Sequence, residues 1–92
     1  MTQYIEQGDV SVSKKVVIYS KNNCNQCNFA KGYIKSMGVD FEERNINSSE
    51  AFNAELMEIA DRTGFTAMPF IVVDDQEVIS GFIPDKIDEH LA

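Results

Sequence analysis

Short β-branched runs alternate with stretches of helical periodicity along most of this chain. Lys15 to Ser20 carries Val16, Val17, Ile18 and Tyr19 without a polar break. That is too short for a helix and has polar flanks, which predicts a central strand buried on both faces. The next helix is expected to begin near Cys24, with Cys27, Ala30, Ile34 and Met37 at helical spacing and Gly38 as its stop. Phe29 and Tyr33 form a second apolar pair on it. Val39 to Ile46 reads as a second strand with Val39, Phe41 and Ile46 inward. Asn47 with Glu50 predicts a capping box. The helix it opens has Phe52, Leu56, Ile59 and Ala60 on one stripe and ends at Gly64. Phe70 to Val73 and Glu77 to Ser80 flank Asp74-Asp75-Gln76, a pattern that predicts an antiparallel hairpin. Pro84, with Asp85 behind it, opens a short last helix reaching Leu91.

Residues 1 to 13 are polar and include only the short alternation Val10-Ser11-Val12-Ser13. They are expected to form a loosely ordered extension before one domain over residues 14 to 92. The order βαβαββα predicts an α/β fold in which a right-handed crossover joins a parallel pair and the hairpin adds antiparallel strands. The result is a four-stranded mixed sheet with helices on both faces. The motif Cys24-Asn25-Gln26-Cys27 falls at the end of the first strand, and this order with that motif is the thioredoxin fold.

The two cysteines change the question from fold to chemistry. A bridge between them closes a loop so small that it stabilises by about 2 kcal/mol at most, so stability is a poor reason for the pair. Thiol-disulfide exchange needs a thiolate that attacks and a second thiol that resolves the mixed disulfide. Cys24 is placed at a helix N-terminus, where unpaired N–H groups favour negative charge, and Lys21 upstream reinforces that field. Cys27, on the buried stripe, is the expected resolver. Met68-Pro69 stands at the entrance to the third strand, where a missing N–H is tolerable. Position alone predicts a trans bond there.

Composition narrows the partners. Fifteen acidic against eight basic side chains give a net charge of -7, which disfavours nucleic acid and anionic membrane surfaces and points to proteins. The start Met-Thr-Gln-Tyr-Ile-Glu has neither a basic n-region nor an apolar h-region, and no run approaches a membrane span. A soluble, cytoplasmic monomer is expected. Two cysteines and the lone His90 supply a four-ligand metal site only through dimerisation, so no metal is expected.

Tyr19-Ser20-Lys21-Asn22-Asn23-Cys24-Asn25-Gln26-Cys27 resembles the active-site segment of the glutaredoxin-like NrdH redoxins, and Ser80-Gly81-Phe82-Ile83-Pro84-Asp85 resembles a second stretch of that family. Gly64-Phe65 and Met68-Pro69 stand where the family has a Gly-aromatic pair and a cis-proline. Ile79 stands where these redoxins often carry tryptophan, and Ile83 where a basic residue is usual. The resemblance implies a small dithiol hydrogen donor for ribonucleotide reductase, recharged by thioredoxin reductase rather than by glutathione. It makes Cys24 the nucleophile, Cys27 the resolver and Pro69 cis, leaving the Met68 backbone to pair with an extended peptide. It also sets Ser80, Gly81 and Phe82 on the surface beside the dithiol, although the residues themselves leave open whether Phe82 is core or partner-facing.

Glutathione-using glutaredoxins have two glycines and then an acidic residue; here Ser80-Gly81 precedes Ile83 and Pro84. Glutathione use is therefore expected to be weak, and no bound cofactor is expected besides the redox-active cysteine pair. A glutathione-dependent glutaredoxin is the alternative within the same chemistry. An iron-sulfur-binding carrier or sensor is the alternative outside it.

Overall fold

A computed structural model of the protein describes residues 14–91; the expected N-terminal extension lies outside the described residues. Its elements are β1 (Val16–Ser20), α1 (Asn25–Ser36), β2 (Glu42–Asn45), α2 (Glu50–Thr63), β3 (Phe70–Val73), β4 (Glu77–Ser80) and α3 (Pro84–Leu91). The strands lie in the order β2-β1-β3-β4. β1 runs parallel to β2 and antiparallel to β3, and β3 pairs antiparallel with β4. This is the βαβαββα arrangement and mixed sheet of the thioredoxin fold.

The unbroken apolar run of β1 follows from its central place. Val16 and Ile18 join Ile71, Val73 and Ile79 under Ala30 and Ile34 of α1 and Ile87 of α3. Val17 and Tyr19 join Phe70 and Val72 under Leu56 and Ile59 of α2. Alternate residues of one strand thus serve two cores, because successive side chains point to opposite faces. Burying each such aliphatic or aromatic side chain contributes about 1.5–3 kcal/mol, so a polar residue anywhere in the run would cost one layer or the other.

β2 departs from expectation. It covers only Glu42–Asn45; Val39 and Phe41 pack on the α1 and α3 layer before it starts, and Ile46 packs on the α2 layer after it ends. The alternation along this edge strand is written in charge instead of in apolar residues. On one side Glu43 accepts hydrogen bonds from the buried Ser20 hydroxyl at 2.6 Å and from Lys31 Nζ at 2.7 Å. On the other side Arg44 donates to Glu42, to Glu55 at 2.7 Å and to the Tyr19 hydroxyl at 3.0 Å. The Tyr19 hydroxyl itself donates to Glu55 at 2.8 Å. Polar side chains on an edge strand also discourage pairing with another sheet.

The hydrogen bond from Lys31, then that from Ser20, holds the Glu43 carboxyl below the usual carboxylate range. A carboxyl depressed in the folded state contributes stability that is present above its unfolded pKa and lost as pH falls through its folded one. Glu43→Gln is therefore expected to lower the unfolding free energy near neutrality, by an amount within about 1 kcal/mol for a partly exposed pair. The gap to the parent protein should close below about pH 4. Urea titrations across that range check this, and a gap that widens in acid would contradict it.

The expected capping box is replaced by a different cap. Ser49 caps α2, its Oγ accepting the Phe52 N–H at 3.4 Å, while Asn47 Oδ1 accepts the Asn22 N–H at 2.7 Å. The loop after β1 takes the asparagine, so the nearest remaining hydroxyl serves the helix. Gly64 closes α2 in the left-handed region at φ 78°. The hairpin turn forms as expected, with Asp74 and Asp75 both at positive φ and Gln76 N–H donating to Val73 O at 3.1 Å.

Candidate redox site

The site begins where β1 ends. The loop of Lys21, Asn22 and Asn23 is fastened to the segment after β2 by three asparagines. Asn22 N–H donates to Asn47, Asn45 Nδ2 donates to Asn22 Oδ1 at 3.1 Å, and Asn47 N–H donates to Asn45 Oδ1 at 2.8 Å. Asn23 then turns the chain through φ 57°, a conformation asparagine tolerates better than most residues. Cys24 follows as the N-cap of α1 in extended conformation (φ −122°, ψ 104°), and its Sγ accepts the Cys27 N–H at 3.1 Å. A sulfur so placed receives the unpaired N–H groups and the positive end of the helix dipole, the setting that favours a thiolate.

Cys24 and Cys27 form a disulfide with their Cα atoms 5.2 Å apart. The two sulfurs differ in access. Cys27 is fully buried and Cys24 retains 9% exposure, which leaves only one of them within reach of an outside disulfide. The sequence places this inequality correctly because Cys27 shares the stripe of Ala30 and Ile34, both of which are also fully buried.

The second wall comes from the other half of the chain. The Met68–Pro69 bond is cis, as the family resemblance implies and as position alone does not. Pro69 is buried, and Met68 packs partly buried on the α2 layer. Ser80 Oγ donates to Ala67 O at 2.7 Å and accepts the Ala67 N–H at 3.1 Å, while Gly81 N–H donates to Pro69 O at 2.8 Å. Gly81 is itself buried and sits at φ 89°. A Cβ there would meet Ala67 Cβ at 3.5 Å and Gln26 Oε1 at 3.6 Å, ordinary contact distances, so it is the backbone conformation that favours glycine.

These contacts change the expected roles of the 80–82 segment. Ser80 is engaged in stitching β4 to the loop before Pro69, and Gly81 lies beneath the surface. Phe82 is half-buried, with its ring 6.1 Å from Phe29 and 5.8 Å from Tyr33; it belongs partly to the α1 and α3 layer. Phe29, by contrast, is 60% exposed. Lys21 is exposed and, among the described residues, enters no hydrogen bond or ion pair. Gln26 was not among the sequence candidates, yet its Oε1 accepts the Phe82 N–H at 3.2 Å. An exposed amide between two cysteines carries no sequence signal of a partner 56 residues away.

Among the described residues, no group of three or more His, Cys, Asp or Glu side chains is arranged to hold a metal ion. No described helix is long and apolar enough to cross a membrane.

The sequence pattern of the glutaredoxin family matches residues 16–78. The glutaredoxin-like protein NrdH of Lactococcus lactis is 38% identical over 72 residues, covering 78% of this chain and 93% of that protein. Glutaredoxin 3 of Escherichia coli is 36% identical over 63 residues, covering 68% and 72%. Among solved structures, the glutaredoxin-like NrdH-redoxin from Escherichia coli matches with a TM-score of 0.68 at 31% identity, over 82% of this chain and 92% of that one. With its fold, its cysteine pair and these likenesses taken together, the chain belongs to the glutaredoxin family of thiol-disulfide oxidoreductases, on its NrdH-like side.

Proposed function

We propose that the protein is a cytoplasmic dithiol hydrogen donor that reduces protein disulfides, with the disulfide of ribonucleotide reductase as its acceptor and thioredoxin reductase as its source of electrons. The observation that carries this reading is the inequality of the two sulfurs, Cys24 capping α1 at the surface and Cys27 sealed beneath it.

In the reduced protein the Cys24 thiolate, held by the Cys27 N–H and the helix end, with the charge of Lys21 upstream in the sequence adding to the field, attacks one sulfur of the partner's disulfide. That S–S bond breaks, a mixed disulfide forms at Cys24, and the first partner sulfur leaves as a thiolate and takes a proton. Cys27 then gives up its proton and attacks Cys24 Sγ. The mixed disulfide breaks, the second partner thiol departs, and the Cys24–Cys27 disulfide remains. Two electrons have passed to the partner, together with one proton from Cys27 and one from solvent. During the exchange the Met68 backbone pairs with the partner's extended segment and the Phe82 ring lies against it.

The choice of acceptor rests on the likeness to NrdH proteins. The choice of reductant is supported by what the 80–82 segment has already committed. The amino end of glutathione would fall at this segment by the family resemblance. Here the Phe82 N–H is taken by Gln26, the Ser80 hydroxyl is taken by Ala67, and Ile83 and Pro84 supply no carboxylate.

Oxidised protein supplied with thioredoxin reductase and NADPH is expected to regain its dithiol and sustain ribonucleotide reductase turnover. Glutathione with glutathione reductase is expected to be slower by about tenfold or more, the cost of two or so missing polar contacts. Measuring NADPH consumption in both arms decides it. Rapid recharge by glutathione alone would make the protein a glutathione-dependent glutaredoxin instead.

A further inference from the structure

Gln26 lies in the first turn of α1, between the two cysteines, and its side chain is exposed. Among the described residues its amide makes the hydrogen bond that crosses from the dithiol turn to the 80–82 segment. On its far side that segment is tied to residues 67 and 69 through the two Ser80 hydroxyl bonds and the Gly81 N–H. Gln26 Oε1 and Ala67 Cβ both lie against the space a Gly81 side chain would need. Three separate pieces of chain are thus held in one line: the dithiol turn, the 80–82 segment and the loop before β3.

The same line fixes an apolar ledge. Phe82 carries the N–H that Gln26 accepts, and its ring is tilted 45° against the exposed Phe29 at 6.1 Å. A small disulfide needs only to bring a sulfur to Cys24. A protein disulfide brings flanking chain, which must rest somewhere while its sulfur aligns, and errors of about 1 Å in such placement are costly. The fields that hold the Cys24 thiolate, the Cys27 N–H and the helix end, do not pass through the Gln26 side chain.

We infer that Gln26 is a positioning residue for protein partners: by accepting the Phe82 N–H it locks the Phe82 and Phe29 ledge in register with Cys24, favouring protein disulfides over small ones. The inference rests on the reading that protein disulfides are the substrates.

The test uses pre-reduced protein in single turnover against insulin as the protein disulfide and hydroxyethyl disulfide as the small one. Q26M keeps the volume and removes the acceptor, whereas Q26E keeps an acceptor oxygen. Q26M is expected to raise the half-saturating insulin concentration about fivefold, the worth of one such hydrogen bond, and to lower the insulin to hydroxyethyl disulfide rate ratio to match. Q26E should stay within about twofold of the parent protein, on the same arithmetic. The pH midpoint of Cys24 alkylation should not move in Q26M, and hydrogen exchange at the Phe82 amide should quicken.

Equal losses on both disulfides, an equal loss in Q26E, or parental half-saturation in Q26M would each overturn the inference. Should the parent protein reduce hydroxyethyl disulfide but not insulin, the protein-disulfide reading fails by itself. Phe82 amide exchange in Q26M then decides the contact separately, and unchanged exchange overturns it.

Discussion

Replacing Cys24 by serine is expected to remove protein-disulfide reduction, with a fall of ~10³-fold or more, because the other thiol of the sequence, Cys27, is fully buried and out of a partner's reach. A serine hydroxyl at the N-cap still accepts a backbone N–H, so the helix keeps its start. What is lost is the polarisable thiolate, and with it the first of the two exchanges. Cys27→Ser is expected to behave differently. The first attack proceeds, but nothing resolves the mixed disulfide, so a covalent adduct of the protein with its partner accumulates. Mass spectrometry before and after dithiothreitol would show the adduct and its reversal. Full turnover in Cys24→Ser, or trapping by Cys24→Ser in place of Cys27→Ser, would reverse the assigned roles.

The main lines of this site are legible in the sequence because they depend on local order. The Lys15–Ser20 run marks a strand buried on both faces, and the Cys24 to Met37 spacing puts one sulfur at a helix end and the other on its buried stripe. The hidden parts depend on distant residues. Asn47 reads as a cap until Asn22, 25 positions away, claims its side chain. β2 resists a hydrophobic reading because its side chains are charged, and Glu43 and Arg44 are satisfied by Ser20, Lys31, Tyr19 and Glu55 rather than by apolar burial. Ser80 and Gln26 look like free polar surface residues, and their partners, Ala67 and Phe82, are backbone groups that no side-chain pattern announces. A hydrogen bond to a distant backbone amide constrains the geometry of a site without constraining the identity of the residue that supplies it.

The same division between local and distant determinants sets the largest stability effect expected for this fold. Phe70 is 1% exposed, directly follows cis Pro69, and packs with Val17, Tyr19, Leu56, Ile59 and Val72. Phe70→Ala is expected to cost about 3–5 kcal/mol through lost burial and the cavity left beneath α2. That is most of the stability available to a domain near the lower end of the 5–15 kcal/mol range. Its urea midpoint should fall by about 2 M or more, if the variant folds at all at 25 °C. Phe29→Ala supplies the contrast, since a side chain 60% exposed has little burial to lose and its cost should stay within about 1 kcal/mol. Phe70 pairs with Tyr19 on one side and Ser80 on the other, so it anchors the strand on which both walls of the redox site converge. If Phe70→Ala were no more destabilising than Phe29→Ala, the α2 layer would not be what holds β3, and Pro69 with it, against the dithiol strand.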